Sequence, residues 1–238
     1  MNRKFLIIAA IVLCSAFSAA GQAKFVKNLS KGKAQTFVVY GTSVESMGAG
    51  RIWVAAVGEE LNRKYKGELT LHNSGRSGQN SRWALEHLQD SVIAKSPDAV
   101  LLEFATNDAV QRFDISLEEC RSNTLELISR IREAFPQCEI ILQVTCGNPL
   151  GKNLESRPTM MEYNAVYAQI AKENGFILID EASVFRELAQ TVDDRTFRQY
   201  CGDGVHSSKK GAMDIYFPVV MNALAGKKGK YVVLPDLQ

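Results

Sequence analysis

The sequence predicts a doubly wound α/β fold, with three layers in which helices cover both faces of a five-stranded parallel sheet. Three observations predict it. Short β-rich apolar runs alternate with longer helical stretches; most runs are apolar at successive positions, as strands buried on both faces must be; and the intervening segments are long enough for parallel crossovers. With 238 residues, 46% hydrophobic and 23% charged, the chain can bury a sizeable core and lies outside disordered and collagen-like compositions.

The first residues read as an address rather than as part of the fold. Met1 to Lys4 is a basic start, Phe5 to Leu13 an apolar run, and Ser15 to Ala23 is rich in small residues. That is the pattern of a secretory signal peptide over residues 1–23, with cleavage after Ala20 or after Ala23. The apolar run falls short of the roughly 20 residues that a membrane span needs, so no stable membrane insertion is expected. Ile11, Val12 and Leu13 before Cys14 speak against lipidation there. The expected location is periplasmic or extracellular. Lys and Arg number 28 against 26 Asp and Glu; without Arg3 and Lys4 the mature chain balances at 26 to 26, so charge offers no case for nucleic-acid binding.

Residues 24–225 then read as a single domain. Gln35–Tyr40 is a strand ending at Gly41, and a helix follows from about Arg51 to Lys66. Glu68–Asn73 is a second, more alternating strand, followed by the turn glycines Gly75 and Gly78. A helix over Ser81–Ala94 ends before Ser96-Pro97, and Asp98–Phe104 is the third strand. Ser116 caps a helix that runs to about Phe135 and stops at Pro136, and Glu139–Thr145 is the fourth strand. Thr159–Asn174 is a helix closed by Gly175 as a left-handed cap, and Phe176–Asp180 is the fifth strand. The arrangement is flavodoxin-like. Residues 226–238 form a C-terminal extension in which Lys227, Lys228 and Lys230 precede the apolar stretch Tyr231–Leu234.

In such sheets ligands bind beyond the carboxyl ends of the strands, where Ser43, the Gly75–Gly78 turn and Asn107 all stand. Ser43 offers a hydroxyl, the glycines offer unshielded N–H groups and Asn107 an amide donor. A serine hydroxyl needs a base, usually a histidine oriented by a carboxylate. Of the three histidines, His72 lies within a strand and His87 within a helix, where packing or solvent exposure accounts for them. His206 stands in the loop Gly202-Asp203-Gly204-Val205-His206, with Asp203 within reach of its ring. Cys120, Cys138, Cys146 and Cys201 are even in number, which permits disulfides in an oxidising compartment, but buried thiols fit equally well and no Cys-x-x-Cys pair points to zinc.

Taken together, these pieces resemble the SGNH (GDSL-type) hydrolase family over nearly the whole mature chain. Tyr40-Gly41-Thr42-Ser43 is similar to its first block, Asn73-Ser74-Gly75-Arg76-Ser77-Gly78 to its second, Phe104-Ala105-Thr106-Asn107-Asp108 to its third and Asp203-Gly204-Val205-His206 to its last. Thr42 stands where the family commonly has Asp, and Ala105 where it commonly has Gly. The resemblance implies an ester hydrolase in which Ser43, His206 and Asp203 are catalytic. It further implies an oxyanion hole of Ser43 N–H, Gly78 N–H and the Asn107 amide, with no cofactor and no metal.

Glu45, Arg76, Arg82, Trp83 and Asp108 lie near these blocks and are candidates for lining the substrate site, although solvation or packing explains them as well. Glu103, a carboxylate in an apolar strand, needs partners and suggests a brace for a loop. The expected substrate is a small-molecule or glycan ester, with removal of acetate from carbohydrate foremost. The rivals are a lipolytic esterase or thioesterase on longer acyl chains and a catalytically silent polysaccharide-binding protein. A flavodoxin-type cofactor binder is weaker, because no Gly-x-Gly-x-x-Gly or Walker loop is present. Nothing in the sequence specifies an oligomeric state.

Overall fold

A computed structural model describes residues 11–13, 21–145, 152–227 and 232–234. The apolar runs become β1 (Gln35–Tyr40), β2 (Leu69–Asn73), β3 (Ala99–Leu102), β4 (Glu139–Val144) and β5 (Ile177–Asp180). They form one parallel sheet in the order β2-β1-β3-β4-β5, the flavodoxin-like order. The register is continuous, with Phe37 opposite both Leu71 and Ala99 and Leu102 opposite Leu142.

The alternation of side chains across the pleat explains why both faces carry helices. Phe37, Val39, Leu101, Ile141 and Ile179 face one core, shared with α1 (Lys24–Ser30), α2 (Ala49–Lys64), α6 (Glu181–Thr191) and α7 (Phe217–Leu224). Val38, Tyr40, Val100, Leu102, Ile140 and Leu142 face the other, covered by α3 (Ser81–Glu86), α4 (Leu117–Ala134) and α5 (Met160–Asn174). Ser116 accepts from Glu119 N–H at the start of α4, and Gly175 closes α5 at φ 67°.

One helical stretch departs from expectation. The helix read over Ser81–Ala94 breaks at His87 into α3, a turn at Leu88–Ser91 and a 3₁₀ turn at Ile93–Lys95. The buried Tyr40 hydroxyl donates to the Ala84 carbonyl at 2.9 Å, which is the acceptor that an unbroken helix would offer to Leu88. Residues 209–224 wind as one helical segment whose Ala212–Tyr216 stretch has π geometry.

The segment before α1 is tied into the body. Ala23 is fully buried and its N–H donates to the Leu224 carbonyl at 2.9 Å. No side chain of its own caps α1; instead Glu139 at the start of β4 accepts from the N–H groups of Lys24 (2.9 Å) and Phe25 (3.1 Å). Farther out, Ile11–Leu13 pairs antiparallel with Val232–Leu234. The rest of the signal-like segment and most of the extension from 226 lie outside the described residues. Cys120 and Cys138 are buried thiols outside any disulfide and Cys201 is buried, while Cys146 also lies outside the described residues. Among the described residues, no helix is long and apolar enough to cross a membrane.

Glu139→Ala removes a carboxylate from the positive end of α1 and is expected to cost about 1 kcal/mol. Urea unfolding should show a lower midpoint at unchanged slope; an unchanged midpoint would show that packing alone holds α1.

Candidate active site

The C-terminal ends of β1, β2 and β3 open onto one side of the sheet, and their loops bond to one another before they meet any ligand. Gly41 ends β1 where space is tight: a Cβ there would lie 2.3 Å from Glu45 Oε2 and 3.0 Å from the Glu103 carbonyl. Thr42 then caps a short helical turn, Ser43–Ser46. Its Oγ1 accepts from Val44 N–H at 3.3 Å, while Glu45 reaches back to accept from Thr42 N–H at 2.8 Å, which forms a capping box. Ser43 is thereby the first residue of a helical turn, and its N–H belongs to those a helix leaves without an intrahelical partner.

The second loop is fastened to the first. Ser74 N–H donates to Val39, Arg76 N–H to Gly41 and Asn73 Nδ2 to the Glu45 carbonyl at 2.7 Å. Gly78 has φ 75°, in the left-handed region that L side chains rarely adopt. The third loop is fastened as well: Glu103, wholly buried, accepts from the Thr42 hydroxyl at 2.6 Å and from Thr106 N–H at 3.1 Å. Thr42, in the place of the family's aspartate, therefore meets a carboxylate supplied by the neighbouring strand. Ala105 begins the turn Ala105–Asp108 in ordinary helical geometry.

The last loop brings the base. Ser43 Oγ lies 2.7 Å from His206 Nε2, and His206 Nδ1 lies 2.7 Å from Asp203 Oδ2. Asp203 Oδ1 accepts the N–H groups of Val205 (2.9 Å) and His206 (2.7 Å). Partial burial would raise the Asp203 carboxyl. The bonds from the His206 ring and these two amides, with the nearby imidazole charge, outweigh it and hold the carboxyl at about 2. Ser43, Gly78, Asn107 and His206 line one open cleft of about 550 Å³, together with Met47, Ser77, Val110, Arg112, Phe113, Asn153 and Arg157. Chemically this is a hydroxyl in contact with a base that a carboxylate orients, beside a group of N–H donors. A larger groove of about 680 Å³ runs along β2 and α2 and contains no such pair.

Three of the candidate substrate residues must be reassigned. Glu45 is wholly buried, with one oxygen in the capping box and the other without a hydrogen-bond partner among the described residues. Burial, joined by the charge of Glu103, pushes its carboxyl well above the usual range. Asp108 is buried and accepts from Ser81 N–H at 2.8 Å, so it caps α3 from the third loop. Arg82 binds Glu119 at 2.5 Å and the carbonyls of Phe113 and Asp114 at 2.9 Å, bridging α3 to the start of α4 outside the cleft. Arg76 is exposed and, with Trp83 and His87, lines a neighbouring depression. Trp83 itself packs on Tyr40 and stacks on His87. His72 stays in β2, far along the chain from the base that the site uses.

Sequence reasoning missed Asn153 and Arg157, which lie outside the four blocks. It also passed over a signal that was present: Thr42-Ser43-Val44-Glu45 has the spacing of a capping box.

Comparison with known proteins places the chain. Residues 38–213 match the model of the GDSL-like lipase/acylhydrolase family. An acetylxylan esterase of Geobacillus stearothermophilus is 28% identical over 151 residues, covering 61% of this chain and 68% of that protein. The human isoamyl acetate-hydrolyzing esterase 1 homolog is 25% identical over 181 residues, covering 67% and 68%. Among solved structures, a variant of the Geobacillus acetyl xylan esterase superposes with a TM-score of 0.68 at 24% identity, covering 82% of this chain and 96% of its own. A putative GDSL-like lipase from Parabacteroides merdae gives 0.69 at 17%, covering 82% and 97%. These structures share the fold.

Two tests follow from the buried carboxylates. Thr42→Val removes the donor to Glu103 at constant shape and should cost about 1–3 kcal/mol in urea unfolding; no loss would mean that Glu103 does not need it. Asp108 is pushed up to about 6 by burial, so between pH about 4 and about 6 the folded state holds a proton that the unfolded chain has released. Stability from this group therefore falls as pH rises through that window. Asp108→Asn should shift Tm in the variant's favour, relative to the parent, between pH 4 and pH 7; a difference independent of pH would refute this.

Proposed function

Because the chain belongs to the GDSL-like lipase/acylhydrolase family and is a carboxylic ester hydrolase, we propose that it is an exported serine esterase that removes small acyl groups, acetate above all, from carbohydrate. The observation that carries the mechanism is the pair of 2.7 Å contacts linking Ser43, His206 and Asp203, opening on the cleft that Gly78 and Asn107 also line.

Ser43 Oγ attacks the ester carbonyl carbon as its proton passes to His206 Nε2. The carbonyl oxygen becomes an oxyanion that accepts from the N–H groups of Ser43 and Gly78 and from Asn107 Nδ2. One Nδ2 proton is used on the Gln79 carbonyl at 2.7 Å, which leaves the second for the oxyanion. Collapse expels the alcohol, which takes the proton from His206 and leaves an acyl ester on Ser43. Water then gives its proton to His206 and attacks this ester, and the acid leaves as Ser43 regains its proton. Asp203 stays ionised throughout and stabilises the imidazolium.

Support for a short acyl group comes from the cleft, in which Ser, Asn, Gln, Arg and His side chains outnumber Met47, Val110 and Phe113. The two kinds of curated relative also both carry acetate esters in their names. The carbohydrate part of the reading rests on the acetylxylan esterase relative and on export. Export rests on the signal-like start. Cleavage after Ala20 is favoured over Ala23, because Ala23 is buried and bonded to Leu224 and would be lost by the later cut.

The mature protein should hydrolyse p-nitrophenyl acetate faster than the butyrate and octanoate, release acetate from acetylated xylo-oligosaccharides, and lose these activities in Ser43→Ala. Highest activity on octanoate would overturn the acyl preference, and a fully active Ser43→Ala the mechanism. Asn107→Ala should lower kcat by about 10² to 10³. N-terminal sequencing of the secreted protein should begin at Gly21; an uncut chain retained in the cytoplasm would overturn export.

A further inference from the structure

We propose that Arg157 and Asn153 form a positioning clamp that ties the oxyanion amide of Asn107 to the carboxylate of Asp203. The proposal rests on the serine mechanism above and names two residues that serve it from outside the four blocks. Neither touches the reacting atoms in this reading.

Arg157 is partly buried beside the cleft, and none of the ion pairs among the described residues involves it. Its guanidinium is instead spread over four neutral oxygens. Nε donates to the Thr106 carbonyl (2.8 Å), one terminal nitrogen to the Asn153 carbonyl (2.9 Å) and the Ser156 hydroxyl (3.1 Å), and the other to Asn107 Oδ1 (3.0 Å). A planar fork that uses four of its five N–H groups in this way is held in one orientation. Burial works against its charge and outweighs Glu103 and Asp203, which favour it.

The consequence falls on Asn107. An amide serves an oxyanion only if its nitrogen, not its oxygen, faces the cleft, and the two ends are alike in shape. Here Oδ1 faces the guanidinium and Nδ2 faces the Gln79 carbonyl, so a flip would set donor against donor and acceptor against acceptor. The guanidinium charge also draws electron density toward Oδ1, which strengthens Nδ2–H as a donor.

Asn153 completes the tie. Its Nδ2 donates to Asp203 Oδ2 at 3.0 Å, the same oxygen that receives His206 Nδ1, and its N–H donates to the Asp203 carbonyl at 3.0 Å. Its own carbonyl takes Arg157. One stretch, residues 153–157, thus fixes the carboxylate that orients the base and the amide that receives the negative charge. The two sides of the reaction centre are held at one spacing.

A double-mutant cycle tests this on p-nitrophenyl acetate. Arg157→Gln alone should lower kcat by about 10- to 100-fold with KM changed less than about threefold, since a small misplacement of a reacting group costs this much. In the Asn107→Ala background the same change should lower kcat by less than about threefold, because the group through which Arg157 acts is gone. Arg157→Lys, which keeps the charge without the fork, should recover part of the loss and carries the same cycle if the Gln variant folds poorly. Asn153→Ala should likewise slow the parent and leave Asp203→Ala nearly unchanged. Equal fold-losses in both backgrounds, or a loss confined to KM, would overturn the clamp. Ser43→Ala separates the two claims: if it is inactive while the cycles are additive, the clamp alone fails, and if it remains active, the serine mechanism fails with it.

Discussion

Glu103 is a carboxylate with no access to water, and two catalytic loops depend on how it is satisfied. It sits just past the end of β3, where its oxygens take the Thr42 hydroxyl and the Thr106 amide. An unpaired carboxylate in that position would be costly, so the nucleophile loop and the Asn107 loop are each drawn to it. Once Thr42 is held there, Glu45 closes the capping box and Ser43 is the first residue of a helical turn. Once Thr106 is held, Asn107 follows at the cleft, and the Thr106 carbonyl is free to meet Arg157. The parallel sheet brings the loops to one side; the buried carboxylate sets them against each other.

Carboxyl groups within one small region are shifted in opposite directions. Glu45, Glu103 and Glu181 are raised by burial, Glu181 with Gln143 as its partner at 3.1 Å. Asp203, half exposed and bonded to the His206 ring and two amides, is held low despite the burial it has. The division follows function. A carboxylate that must stabilise an imidazolium needs its charge at working pH, whereas one that braces loops needs only acceptors.

The strands were legible because burial on both faces leaves an unmixed signal, and Gly175 and Ser116 marked helix ends by plain backbone chemistry. The four blocks were legible because each is a short local pattern at a strand end or in a loop. What escaped depended on partners distant in sequence. The break at His87 goes with a hydroxyl 44 residues away from the carbonyl it takes. Arg157 acts 50 residues from Asn107 and Asn153 acts 50 residues from Asp203, and neither stands in any local pattern. Glu45 and Asp108 are different failures. Proximity to Ser43 and Asn107 suggested contact with substrate, but adjacent residues on a tight turn point in different directions, and these two point inward. The capping spacing of Thr42 and Glu45 already contained that answer.

Such a site has to be rigid without being dry. The buried network of Thr, Glu, Gln and Asn side chains at the strand ends is less favourable than apolar packing would be, since each member loses water and several atoms remain without a partner among the described residues. The two apolar cores offset this. Tyr40 belongs to one core through its ring and fixes α3 through its hydroxyl, and Trp53 in the other core donates to the Val44 carbonyl at 3.2 Å. Gly50, whose added Cβ would meet that same carbonyl at 2.2 Å, lets α2 press directly on the nucleophile turn. The position of Ser43 is thus set from the side of the core by close packing and from the side of the cleft by hydrogen bonds. A substitution in α2, which contributes no reacting atom, reaches the nucleophile through the first of these routes.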